Sequence, residues 1–225
     1  MDERAISAVI PTLNAGATLA ATLDALAGAV GEVVVADGGS TDDTAALARA
    51  RGARVVEAPA GRGAQLAAGA RAATGDWLLF LHADTVPLAG WRRQVARFIA
   101  APANRERAAA FGYATDLAGA AGRWLEAYVA WRTRALGLAY GDQGLLISRA
   151  FYDRLGGFRP LPIMEDVDLV RRIGRRRLVA LDARARTSGA RYRRAGVAVR
   201  GARNLACLAL YFLGVPPRLI VRLYG

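Results

Sequence analysis

The sequence has no lysine, a single histidine (His82) and a single cysteine (Cys207). One cysteine excludes an intramolecular disulfide, and one Cys with one His excludes a Cys/His zinc cluster. Without lysine there is no GxxxxGK[ST] phosphate-binding loop, and no GxGxxG dinucleotide fingerprint is present either. These absences argue against P-loop ATPases and dehydrogenases. No apolar run is long enough to span a bilayer. The first residues, MDERA, lead into an apolar stretch broken by Pro11 and Asn14, so no signal segment is read there. The expectation is a cytoplasmic chain.

What remains is a globular composition. Of 225 residues, 54% are hydrophobic and 22% charged, which suits one domain with at most a short appendage. The net charge of +12 is unevenly placed. Residues 171–225 hold 14 Arg and one acid, Asp182, whereas residues 1–170 are nearly balanced. Such a block needs an anionic partner or a solvated face. Nucleic acid fits poorly, because aromatic side chains are not interleaved with the Arg cluster.

The first half alternates apolar runs and helical stretches. Ile6–Ile10, Glu32–Ala36, Ala53–Glu57 and Trp77–Leu81 read as buried strands. Ala17–Ala29, Asp42–Arg51 and Arg62–Ala73 read as helices, with Ser40 or Thr41 as the cap of the second. Repeated β-α units predict an α/β fold with a mostly parallel sheet flanked by helices. Further on, Ala109–Thr115, Gly144–Ile147 and Leu178–Leu181 read as strands, and residues 197–213 as an apolar helix before Pro216-Pro217.

Ligands of open α/β sheets bind beyond the carboxyl ends of the strands. Each of the first strands here ends in a polar or Gly-rich turn: PTLN, DGGSTD, PAGRG and HADT. Asp37 can accept hydrogen bonds from a base or ribose, or cap its own turn. Asp84 is a hard oxygen donor suited to Mg²⁺ or Mn²⁺, and His82 lies on the same side of an extended chain. Glu165 and Asp166 open a helix, where acids favour the helix dipole or can supply a general base.

Together the segments VIPTLN (9–14), ADGGSTDDT (36–44), GRGAQLAAGA (61–70), GDWLLFLHADT (75–85), GDQGLLISR (141–149) and MEDVDLVRRI (164–173) resemble the family 2 glycosyltransferases. The HADT and GDQG segments look most like a small bacterial branch linked to arsenosugar biosynthesis and radical-enzyme genes. The resemblance implies a GT-A fold over residues 1–185, with 186–225 as a basic, apolar helical extension. It implies a divalent metal and an inverting transfer from a nucleotide sugar, UDP-linked by family habit, to a small-molecule or lipid acceptor. Thr12, Asn14 and Asp37 would line the nucleotide pocket, and Arg62 and Gln65 would close over it. Asp84 would hold the metal as the second acid of an Asp-x-Asp motif whose first position is His82. Gly141, Asp142 and Gln143 would border the donor or acceptor sugar. Asp166 would be the base, with Glu165 beside it. His82, Arg191, Arg193 and Arg194 are candidates for the diphosphate. The alternatives are a nucleotide-sugar-binding protein without activity and a nucleotidyltransferase. For the Arg-flanked C-terminal helices two readings stand: binding to an anionic membrane surface at the inner face of the cell membrane, or a helix packed on the core with a basic outer face.

Overall fold

A computed structural model describes residues 5–224, and the side chains of these except Arg191, Arg194, Ala195 and Tyr224. The first half follows the alternation of the sequence. Strands β1 (Ile6–Thr12), β2 (Glu32–Asp37), β3 (Arg54–Glu57) and β4 (Trp77–Phe80) are joined by helices α1 (Gly16–Leu26), α2 (Thr44–Ala50) and α3 (Arg62–Ala72). Strand β5 (Thr85–Pro87) and helix α4 (Trp91–Ala100) follow. Then come β6 (Ala108–Thr115), α5 (Gly119–Leu136), β7 (Leu145–Ser148), α6 (Arg149–Arg154) and α7 (Glu165–Ile173). Strand β8 (Leu178–Thr187) and helices α8 (Ala190–Ala195), α9 (Val197–Phe212) and α10 (Pro217–Tyr224) complete the chain.

The sheet has eight strands in the order β3-β2-β1-β4-β7-β6-β8-β5. Pairing is parallel from β3 through β4, and β7 enters antiparallel to both β4 and β6. The topology reverses between β4 and β7, beside the carboxyl end of β4, where α/β sheets open a crevice for ligands.

Both faces of the sheet are apolar, which is why the strands read as unbroken runs. In β1, Ile6, Ala8 and Ile10 face α1 and α4, together with Leu19, Leu23 and Trp91. Val9 faces the other side with Leu66, Leu78, Phe80 and Leu169, under α3 and α7. A Cβ on Gly69 would meet Val9 Cγ1 at 2.4 Å, so this glycine sets how closely α3 lies on the sheet.

Two details differ from the sequence reading. Helix α2 is not capped by Ser40 or Thr41; it starts at Thr44, whose N–H donates to Asp42 Oδ1 at 3.0 Å. Ser40 instead donates to Asp37. Strand β8 runs on to Thr187, its far end paired on one side with Gly112–Thr115 of β6 and on the other with the edge strand Thr85–Pro87.

Candidate active site

The carboxyl ends of β1 and β2 are tied into one corner. Thr12 and Asp37 are register partners, and Thr12 Oγ1 donates to Asp37 Oδ1 at 2.8 Å. Ser40 donates twice to Asp37, from N at 2.8 Å and Oγ at 2.5 Å, and Gly39 N donates at 3.2 Å. Burial alone would raise the Asp37 pKa, but these hydrogen bonds outweigh it and hold the carboxyl below its ordinary range. Asn14, at φ 51°, fastens the neighbouring turn: its N–H donates to Ser40 Oγ and its Oδ1 accepts from Thr41 N, both at 2.9 Å.

Gln65 lies beneath this corner. It is buried, and its Nε2 donates to Thr12 O at 2.6 Å and Ala36 O at 3.0 Å. The structure therefore makes it a strut under both strand ends, where the resemblance places it over the nucleotide.

One turn earlier on α3, Arg62 Nε lies 2.9 Å from Glu165 Oε1. Glu165 is fully buried, and neither of its oxygens has a well-aligned hydrogen bond. Burial, with Asp166 beside it, pushes its pKa up to about 7 against the pull of Arg62. Asp166 is half-buried and is oriented by two backbone donors: Gly141 N to Oδ2 at 2.8 Å and Val167 N to Oδ1 at 2.7 Å. The α7 start and the Gly141 turn are thereby locked together.

That turn also meets the end of β4. A Cβ on Gly141 would lie 2.3 Å from His82 Nε2, so the imidazole fits only against a glycine. Thr187 Oγ1 donates to Asp142 O at 2.7 Å and lies 2.8 Å from Thr85 Oγ1, which joins the turn to the one carrying Asp84. Asp142 Oδ1 is buried without a hydrogen-bond partner, and burial raises this carboxyl's pKa, opposed by Arg132 and reinforced by Asp166 and Asp84. His82, Tyr140, Gly141, Glu165 and Asp166 line a narrow cleft together with Phe80, Leu81 and Phe158.

Other predicted residues sit elsewhere. Gln143 is buried, donating to Phe111 O and accepting from Arg132 Nη2 and Thr133 Oγ1. This network braces the turn from behind and turns the amide away from the cleft. Arg193 is exposed and pairs with Asp116 at 2.8 Å. The Arg191 and Arg194 side chains lie outside the described residues. Sequence reasoning missed Tyr140 and Arg132, whose guanidinium stacks 3.5 Å over the Tyr140 ring. The spacing of Arg132 from Leu125 and Val129 puts it on the buried stripe of α5, the signal that could have found it.

Residues 7–111, which contain the Asp37 corner, Arg62 and Asp84, match the model of Glycosyl transferase family 2. Over this segment the chain is similar to that family. Glucosyl-3-phosphoglycerate synthase of Mycobacterium tuberculosis (strain ATCC 25618 / H37Rv) is 40% identical over 96 residues, 37% of this chain and 30% of that protein. An uncharacterized glycosyltransferase of Rickettsia felis is 39% identical over 80 residues, 35% of this chain and 28% of its own. The chain thus spans about a third of the length of the curated relatives it matches. In three dimensions the likeness extends beyond the family 2 segment. The crystal structure of the M. tuberculosis synthase with Mn²⁺, UDP and glucosyl-3-phosphoglycerate superposes at TM-score 0.62 and 23% identity, covering 95% of this chain and 81% of that one. Its complex with phosphoglyceric acid gives TM-score 0.58 at 25% identity, covering 82% and 70%. The GT-A fold implied by the resemblance is the fold observed.

Proposed function

We propose that this protein is a metal-dependent inverting glycosyltransferase. It moves a sugar from a nucleoside-diphosphate sugar, UDP-linked, to an acceptor hydroxyl. The observation that carries this reading is that the family 2 segment brings its strand ends to one edge of the parallel sheet and, through His82 and the Arg62–Glu165 pair, borders Asp166, which two backbone N–H groups hold in place. The fold's mycobacterial neighbours were crystallised with UDP and Mn²⁺ or Mg²⁺, which supports a nucleotide donor here.

The oxygen donors fit a hard divalent cation. Asp84 would hold it, and Asp142 offers a buried Oδ1 without a hydrogen-bond partner in the same electrostatic neighbourhood. Among the described residues no three His, Cys, Asp or Glu side chains form a ready-made cluster, so water and diphosphate oxygens would complete the shell. Mg²⁺ or Mn²⁺ bound there would neutralise charge developing on the leaving diphosphate.

The chain's own residues do the rest. Thr12, Asn14 and Asp37 shape the nucleotide corner, and the N–H groups and hydroxyls that Asp37 organises fix its loop. Arg62, at the first turn of α3, reaches toward the diphosphate side. Gly141 and Asp142 border the sugars, and His82 packs against Gly141. Asp166 takes the proton from the acceptor hydroxyl with a lone pair left over from its two backbone bonds. The acceptor oxygen forms a bond to the anomeric carbon as the bond to the diphosphate oxygen breaks on the opposite face. Holding donor and acceptor in that line supplies much of the rate.

The acceptor class is a small metabolite, such as an arsenosugar precursor, or a lipid. The place of work is the cytoplasm or the inner face of its membrane. The boundary expected at residue 185 falls inside β8, so the transferase domain runs to Thr187 and the helices beyond it form the extension. His82 at the first acidic position favours a second reading, a protein that binds a nucleotide sugar without transferring it.

Incubation with a panel of nucleotide sugars, with and without Mn²⁺ or Mg²⁺, separates these readings. Metal-dependent release of a nucleoside diphosphate from one donor, lost in Asp84→Ala by about 10²-fold or more, is expected. Donor binding without release, in the presence of an acceptor panel, would favour the second reading.

A further inference from the structure

The outer face of α9 inverts the usual order of an amphipathic helix on a protein surface. Such a helix turns its apolar stripe inward and its polar residues to water. Here every exposed side chain of α9 is apolar, from Ala198 and Val199 through Leu205 to Phe212, while Arg200 is buried and Arg203 half-buried. The basic outer face considered from the sequence is carried by α10, where Arg218 and Arg222 are exposed, and not by α9. Leu213, just beyond it, is 80% exposed.

Helix α5 shows a second apolar surface. Trp124 and Trp131 are 61% and 57% exposed, and Tyr128 stacks on Trp124 with ring centroids 5.6 Å apart. Arg123 and Arg134 flank this aromatic row, also exposed. Tyr192 links the two helices: it packs with Tyr128 against Leu125 and Val129, and Asn204, half-buried on α9, donates to its hydroxyl at 3.5 Å. On α10, Leu219 and Leu223 alternate with Arg218 and Arg222 on the exposed side.

We infer that the face formed by α5, α9 and α10 docks onto an anionic lipid bilayer. Apolar and aromatic side chains bordered by arginines match the boundary between acyl chains and charged headgroups. The charge selects this occupant. Residues 183–225 contain no acid, so a second copy would set two arginine-bearing faces against each other, whereas anionic headgroups complement them. Among the described residues no helix is long and apolar enough to cross a membrane, so the helices lie in the interface. The face also adjoins the cleft: Cys207 and Ile220 pack on Ile163, Met164 and Val167, around the turn that carries Glu165 and Asp166. Docking holds the cleft near headgroup level.

The test is flotation of the full chain with vesicles of equimolar phosphatidylglycerol and phosphatidylcholine, and with phosphatidylcholine alone. The wild type floats with the anionic vesicles and not with the neutral ones, and brominated acyl chains quench its tryptophan fluorescence. The doubly substituted chain L205E/F212E, changed only at exposed positions, loses about tenfold or more of this binding. A second variant, W131E, weakens binding through the other helix. Circular dichroism checks that both variants fold. Absence of the wild type from anionic vesicles would overturn the inference, as would equal binding to neutral ones. So would unchanged binding of the double variant, or a dimer in sedimentation velocity that the same substitutions dissolve. Donor hydrolysis by the soluble protein does not depend on these residues, so failure here leaves the transferase reading intact.

Discussion

Helix α3 touches two acidic neighbourhoods built in opposite ways. Through Gln65 it braces the corner around Asp37, whose carboxylate accepts four hydrogen bonds and is held below its ordinary pKa. Through Arg62, one turn away, it reaches Glu165, which is fully buried, lacks well-aligned hydrogen bonds and is pushed up to about 7. A satisfied carboxylate organises a loop and offsets its own desolvation. A buried carboxyl held by one ion pair alone is tolerated at a cost to stability, and such groups concentrate where chemistry is done. On the proposed reading, the Asp37 corner is a preformed cradle and the Glu165–Asp166 turn the reactive side.

The sharpest way to break this contrast is on the reactive side. Asp166→Asn keeps the shape of the side chain and removes its basicity. Turnover should fall about 10²-fold or more with donor KM little changed. Steady-state kinetics at saturating acceptor would show it, and near-wild-type turnover would remove Asp166 as the base. On the cradle side, Asp37→Asn turns a charged acceptor into a mixed donor and acceptor facing four donors. A stability loss of about 1–3 kcal/mol is expected in chemical denaturation, together with a raised donor KM.

The pH dependence sharpens the same comparison. Asp37 has a depressed pKa, so its contribution is present above the ordinary carboxylate range and is lost as pH falls below about 3.8, the unperturbed value. Glu165 has a raised pKa, so the folded state binds its proton more tightly than the unfolded state does. Its contribution is full below about 4.5 and is lost as pH rises toward about 7. Glu165→Gln should flatten the fall in stability across that window and leave the acid limb unchanged. Melting temperatures of both proteins from about pH 2 to 8 would check it, and parallel curves between about 4.5 and 7 would show that Glu165 does not titrate there.

Much of the strand-end corner was legible in the sequence. Strands β1 to β4 are apolar runs ended by polar turns, and sheet geometry carries those turns to one edge. The roles of Gln65 and Gln143 were not legible. A glutamine near a ligand motif reads as a ligand contact, but each amide here satisfies buried backbone groups. Strand β5 was missed because three residues, Thr-Val-Pro, carry too little pattern, and its place depends on pairing with Thr187, far along the chain. The outer face of α9 was hidden by its alanines, which suit either side of a helix. Only tertiary packing through Cys207 shows which side is turned in.

The central claim is that the edge holding Asp37 and Asp84 binds a metal–nucleoside diphosphate. Calorimetric titration of UDP into the wild type and Asp84→Ala, with and without Mn²⁺, tests it most directly. The account predicts binding that requires the metal and is lost in Asp84→Ala, with the variant still folded. Failure of the wild type to bind UDP, GDP or dTDP with either Mn²⁺ or Mg²⁺ would contradict it.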